Sequence, residues 1–389
     1  MKKCFFFLLS VACAGLLQAQ LSLTVLPSGG NKKAWVGERV GLTDMTIRYD
    51  RPAVKGREGK IWGGLVHTGF TDQGFGPSKA APWRAGANEN TVIEFSGNVK
   101  VEGQPLKAGK YGFFIAYDST EATLIFSNNA TSWGSYYYDA AEDALRVKVQ
   151  PQKLANSVEW LQYVFLNQTE NSATIALQWE KLQIPFKVEV YYVQDQLESF
   201  RRELRTERGF FWLAWEQAAQ WALQRNVALE QALQWSDSAT GPSFGGSGLF
   251  GPKATKAQIL YKLGRTAEGD AIMKAALPLA NMGERHQYAR QLLLQQKKEE
   301  ALEVFKMNHS RHPGQFTTLV GLVRGYAANG NYKTALKYAK QALPLSPPDA
   351  NKTFVEGAIK KTGSRTRYQL MLCALDSKEW IVIIGSKDV

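Results

Sequence analysis

Cysteine is nearly missing from this 389-residue chain: there are three, and Cys4 and Cys13 fall within the first nineteen residues. With that segment removed only Cys373 remains. No internal disulfide is then possible, so the fold must be held by burial. Histidine is also scarce, limited to His67, His286, His309 and His312. His309 and His312 stand three apart, but no cysteine or carboxylate joins them at zinc-site spacing. They read as a helix end before Pro313, and no metal is expected. A Gly-x-Ser-x-Gly elbow is missing too, because Gly245-Gly246-Ser247-Gly248 has the wrong spacing. The surrounding glycine-rich stretch Thr240 to Pro252 follows no strand and lacks a Gly-Lys-Ser/Thr ending, which excludes a phosphate-cradling loop. It reads as a flexible connector, and no cofactor is expected.

Long apolar runs are confined to the beginning. Lys2 and Lys3 precede the thirteen-residue run Phe5 to Leu17, and Gln18-Ala19-Gln20 follows. Crossing a bilayer as a helix takes roughly 20 residues, so the segment reads as a secretory signal, residues 1–19, cut after Ala19. Leu17 is larger than the small residue usual three positions before a cut, which leaves a second reading in which Cys13 carries a lipid. No later segment is apolar enough to span a membrane. The expectation is an exported protein, periplasmic or extracellular.

Charge is unevenly placed. The whole chain carries +12, divided as +3 up to Val193 and +9 beyond it. A basic second half favours anionic partners, although scattered lysines on helix surfaces also serve solubility. Export leaves nucleic acid outside the expected partners.

From residue 44 to 193 the apolar pattern alternates with a period near two in short β-branched and aromatic segments. These are 45–49, 91–95, 99–103, 111–117, 122–126, 145–149, 158–165, 173–179 and 186–193. No helix-length amphipathic segment separates them, so antiparallel pairing in a sandwich or barrel is expected over 20–193. Leu106 to Tyr111 reads as the turn of a hairpin joining the strands at Val99 and Tyr111. Pro185 suits an edge or bulge.

After Val193 the period changes to 3.6. Ala301-Leu302 recurs as Ala335-Leu336, and Pro313 recurs as Pro347, each at 34 residues. That is the tetratricopeptide interval. Small residues permit close helix crossings, Gly330-Asn331-Tyr332 supplies a turn, and proline stops the second helix. Degenerate copies near Leu263 to Ala271 and Ala228 to Trp235 bring the array, residues 194–366, to three or four repeats. The tail 367–389, with Trp380-Ile381-Val382-Ile383-Ile384, has no evident helical pattern.

Two polar clusters are candidate binding residues. The first is Trp83, Arg84, Asn88 and Glu89, in a loop ahead of a strand, where rigid sheets commonly present function. Its alternative is a loop fixed by Arg84 and Glu89 pairing with each other or with strand-end carbonyls. The second is Arg51, Lys55 and Arg57 with His67, a set able to grip an anion or to form a solvated turn. His67 alone suits a general base, with no nucleophile to nominate beside it. Trp133, Tyr136, Tyr137 and Tyr138 suggest a carbohydrate surface or a packed core.

These segments resemble a family of exported bacterial proteins, domain of unknown function 2911. The likeness rests on Tyr49-Asp50-Arg51-Pro52, Lys55-Gly56-Arg57, Gly63-Gly64-Leu65-Val66 and Trp83 to Thr91, then on Gly103 to Tyr111, Trp133-Gly134 and Leu145-Arg146-Val147. It covers about residues 40–190, and departs from the pattern in the longer link between Leu65 and Trp83. The resemblance implies a compact β domain, often followed by a tetratricopeptide-like tail, without an established activity. Together these readings give a non-catalytic binding or scaffolding protein of the cell envelope, with a protein or peptide partner on the repeats and an anionic or carbohydrate ligand on the β domain. The alternative is an enzyme acting on an envelope or polysaccharide substrate through the Trp83–Thr91 loop.

Overall fold

The computed structural model describes residues 30–347 and, beyond them, Thr353, Val355, Glu356, Gly357 and Ile359. The expected signal segment, Cys13, Cys373 and the tail 367–389 lie outside the described residues. Two compact units meet in sequence at Gln196 and Leu197.

The first unit is an antiparallel β-sandwich. Its six-stranded sheet has the order β1 (Lys32–Val40), β2 (Thr43–Arg51), β3 (Thr91–Phe95), β6 (Gly109–Ala116), β7 (Ala122–Ser127), β8 (Asp143–Val149). The facing sheet has the order β5 (Gln104–Leu106), β4 (Val99–Val101), β10 (Ser172–Val190), β9 (Gln152–Leu166). Alternation sends Met45, Ile47, Ile93, Phe95, Phe113 and Phe126 inward from one sheet, and Val101, Leu161, Tyr163, Leu177 and Phe186 inward from the other. Each such side chain contributes roughly 1.5–3 kcal/mol on leaving water. β6 is buried on both faces, because Tyr138 covers Phe114 and Ile125 on its outer side.

Three features differ from the sequence reading. Strands β4 and β6 do not form a hairpin. Instead β4 pairs with β5 through Glu102 and Gly103, whose φ values of 47° and 78° suit a two-residue turn. Leu106 to Gly109 then carries the chain across to the other sheet. The segments 173–179 and 186–193 are one 19-residue strand, β10, irregular at Glu180 (φ 52°). Pro185 lies after β10's pairing with β9 ends at Gln183 and before its pairing with β4 begins at Val188, where no ladder donor is required. Finally β1 was not expected. It is a mostly exposed edge strand carrying Lys32, Lys33, Glu38 and Arg39, the charged composition that keeps an edge from pairing with another chain.

The second unit is a solenoid of helix pairs. After α1 (Tyr192–Glu203) come α2 (Trp212–Arg225) with α3 (Leu229–Thr240), and α4 (Phe250–Lys262) with α5 (Thr266–Ala276). Then follow α6 (Met282–Leu294) with α7 (Lys298–Arg311), and α8 (Phe316–Ala328) with α9 (Tyr332–Ala342). First helices also pack on first helices, α2 on α4 and α6 on α8, as in a tetratricopeptide-like stack. Each pair turns through a residue of positive φ: Asn226, Gly264, Gln296 and Gly330. Ala301 and Ala335, one period apart, are both buried. Gly321 is forced by packing, since a Cβ there would stand 2.5 Å from the Phe305 ring.

Proline's role is adjusted. Pro313 follows α7 closely, but α9 stops at the 3-10 turn Leu343–Leu345, which contains Pro344, ahead of Pro347. The glycine-rich stretch is also no loose connector. It holds a 3-10 turn, Pro242–Phe244, and its Gly246 is buried where any Cβ would strike the Ala239 carbonyl and the Trp212 side chain. Phe244 packs on Trp215 with ring centroids 5.2 Å apart.

Candidate functional site

The long β2–β3 connection returns to the sheet at Trp83, whose backbone exchanges hydrogen bonds with Ile115 of β6. Trp83 is buried, stacks on Trp179 at 6.2 Å and donates from Nε1 to the Gly86 carbonyl. It is a core anchor for the loop. The next turn is strained, with Ala85 at φ 51° and Asn88 at φ 56°. The Ala85 carbonyl accepts from both Tyr163 Oη (2.8 Å) and Thr91 Oγ1 (3.0 Å), which holds that geometry.

Arg84 donates from Nη1 to the Asn88 carbonyl at 2.8 Å and lies over the Tyr136 ring at 5.0 Å. Asn88 Oδ1 accepts from Asn31 Nδ2, and Glu89 pairs with Lys33 at 2.7 Å. Beneath them is Asp50, 3 % exposed, whose carboxyl is pushed above its usual range by burial, against the pull of Lys33. His67 stands close enough to feel Arg84: burial first, then that positive charge, hold the imidazole below its ordinary range. Its Nε2 lies 3.4 Å from Gln73 Nε2, and Gln73 donates to Ser135 Oγ at 3.0 Å. Ser135 is fully buried and reaches His67 only through an amide. The arrangement brings His67, Arg84 and Asn88 together, with Asp50, Gln73, Ser135 and Tyr136 added by the fold.

Arg51, Lys55 and Arg57 have a different set of partners. Arg51 Nε donates to the Leu161 carbonyl at 2.8 Å, and the Lys55 amide donates to the Glu159 carboxylate at 3.0 Å. Arg57 gives Nε and Nη2 to the Val54 and Ala53 carbonyls. These bonds dock the start of the connection on β9 and close its own turn. The four clustered aromatics also diverge. Tyr138 is in the core and donates to Asp143, Tyr136 serves Arg84 and Phe75, and Trp133 and Tyr137 are exposed.

A second convergence lies in the solenoid. His286 and Arg290 of α6 lie within electrostatic reach of Arg324 of α8. Burial, then Arg324 and Arg290, push His286 down to about 3. Burial and Arg290 push Arg324 down to about 10. Arg290 and Arg324 are 34 residues apart and so occupy the same place in successive first helices. That interval was readable, but only packing brings the two charges within reach of each other. His309, by contrast, makes a helix-end contact, its Nδ1 3.1 Å from Thr318 Oγ1. No group of three or more metal-ligating side chains exists among the described residues, and no helix among them is long and apolar enough to cross a membrane.

No curated protein matches the chain. Among solved structures, YrrB, a TPR protein with an unusual peptide-binding site, is 16 % identical with a TM-score of 0.30, covering 46 % of this chain and 90 % of its own. MamA from Desulfovibrio magneticus is also 16 % identical, with a TM-score of 0.28, covering 47 % and 98 %. TTC0263, a TPR protein of Thermus thermophilus, is 16 % identical with a TM-score of 0.29, covering 43 % and 91 %. Residues 31–188, which hold nearly the whole sandwich, match the model of a family described as a protein of unknown function, DUF2911.

Proposed function

We propose that the chain is an exported, non-catalytic binding protein whose helical array holds an acidic segment of a partner protein against the α6–α8 surface. The observation that carries this reading is the placing of Arg290 and Arg324 at the same position of successive first helices, where their charges act on each other and on the neutral His286. Such a set lowers its energy by taking up carboxylates, since charge-assisted hydrogen bonds are about twice as strong as neutral ones. The +9 charge of the second half adds long-range attraction. In the sandwich, Arg51, Arg57, Trp83 and Arg84 donate to backbone carbonyls, which supports a positioning role for the loop.

The test is fluorescence anisotropy of the full chain with a labelled glutamate-rich peptide. Arg290→Ala is expected to weaken binding about tenfold, the worth of one charge-assisted hydrogen bond, and added salt should weaken it further. Equal affinity in the variant would remove this surface from the function. Export is tested separately: the mature N-terminus should begin at Gln20.

A further inference from the structure

Among the described residues of the array, the approach to the first helix pair carries the two most exposed large apolar side chains. Between α1 and α2 a 3-10 turn, Glu207–Phe210, is pinned on its inner side by the buried Leu204 and Gly209. A side chain on Gly209 would collide with the Leu204 carbonyl, so only glycine lets the turn close. Trp215 Nε1 donates to the Gly209 carbonyl at 2.8 Å from behind. With its inner side taken, the turn directs Phe210 and Phe211 outward, each 71 % exposed, beside Leu213 at 50 %. Leaving three large apolar side chains in water on a firmly held turn implies a partner for them.

The chain leading into the turn decides which partner. Arg201, Arg202, Arg205 and Arg208 are all exposed within eight residues, against only Glu203 and Glu207. Exposed aromatic rings beside a cluster of arginines, of which Arg208 pairs with Glu203 and Arg202 and Arg205 are exposed, match the two layers of a bilayer surface: anionic headgroups outside, acyl chains beneath. Two adjacent rings, each 71 % exposed, favour lipid over protein, because a deformable medium takes them in without a complementary pocket. We propose that this Arg-Phe-Phe turn docks the protein on an anionic phospholipid bilayer, with Phe210, Phe211 and Leu213 inserted at the interface. The site is separate from the α6–α8 cations and stands whether or not an acidic segment binds there.

The test is co-sedimentation of the full chain with vesicles of phosphatidylcholine containing phosphatidylglycerol, and with vesicles of phosphatidylcholine alone. The protein is expected to pellet with the anionic vesicles and to be released by salt. Phe210→Ser with Phe211→Ser should reduce partitioning at least tenfold. Arg202→Ala with Arg205→Ala should reduce it about thirtyfold on anionic vesicles and leave the small partitioning to neutral vesicles unchanged. All four positions are exposed, so circular dichroism should match the parent. A chain that stays in the supernatant with anionic vesicles, as it would if the turn served an acidic protein, overturns the proposal. So does pelleting that both double variants preserve.

Discussion

The sandwich and the solenoid keep water out in different ways. In the sandwich one continuous core runs from Val40 to Val190 and gathers residues from both sheets, with Trp62 in ring contact with Trp83, Tyr117 and Trp179. In the solenoid the apolar residues form smaller clusters, such as Phe250 with Met273, Ala289 with Phe305, and Leu319 with Ala339, each shared by neighbouring helices. A continuous core makes damage global, whereas stacked clusters make it local. The polar groups differ as well: the sandwich bonds Arg51, Arg57 and Arg84 to backbone carbonyls, while the solenoid sets Arg290 and Arg324 of successive repeats within each other's field.

The largest effect should come from Trp179→Ala, which removes a fully buried ring packed on Trp62 and Trp83. A loss of about 3–5 kcal/mol is expected, with amide protection falling across both sheets together. Loss confined to the strands around Trp179 would break the contrast. The next effect is set by pH. His286 is held near 3 in the folded chain against about 6.5 when unfolded, so the unfolded chain binds the proton first as pH falls. Stability from this group is therefore whole above about 6.5 and drains away toward about 3, by on the order of 5 kcal/mol. Hydrogen exchange should show α6 to α8 loosening first. His286→Leu should flatten that slope, and an unchanged slope would show that another group is responsible.

The smallest effect has the opposite sign. Glu216 is 4 % exposed and accepts from Thr255 (2.5 Å) and Gln220 (2.7 Å), while burial raises its carboxyl above the ordinary range. The folded chain thus holds this proton to higher pH than the unfolded chain. Its contribution is greatest at low pH and is lost as pH rises through the folded value. Glu216→Gln should stabilise the array by about 1 kcal/mol at neutral pH, seen as a later denaturation midpoint. A less stable variant would mean that the charged form is the one the array needs.

Much of this was legible because it is local. Alternation in Thr43–Arg51 and Thr91–Phe95 marks strands whose two faces differ, and the 34-residue return of Ala301 at Ala335 marks repeats stacked on a common plan. The misreadings have physical causes. β1 is a charged edge, so it lacks the apolar alternation of an inner strand. β5 has three residues, too few to show a period. The Leu106–Tyr111 turn looked like a hairpin because its residues suit one, but the choice of pairing partner belongs to the sheets. Trp83 and Arg84 stood out by residue type, and type says nothing of whether a ring is stacked on Trp179 or a guanidinium is already bonded to a carbonyl.

Contiguous residues by themselves therefore determined the change from strands to helices near Val193, the interval of the repeats and the excess positive charge of the second half. Periodicity and net charge are written within short windows, and no partner is needed to read them. Tertiary structure alone decided that β4 and β6 belong to opposite sheets, that Asp50 lies beneath Asn88, that Arg290 acts on Arg324, and that Phe210 and Phe211 are exposed. Each depends on contacts between distant segments, where the free energy of fit, not the local pattern, selects the arrangement.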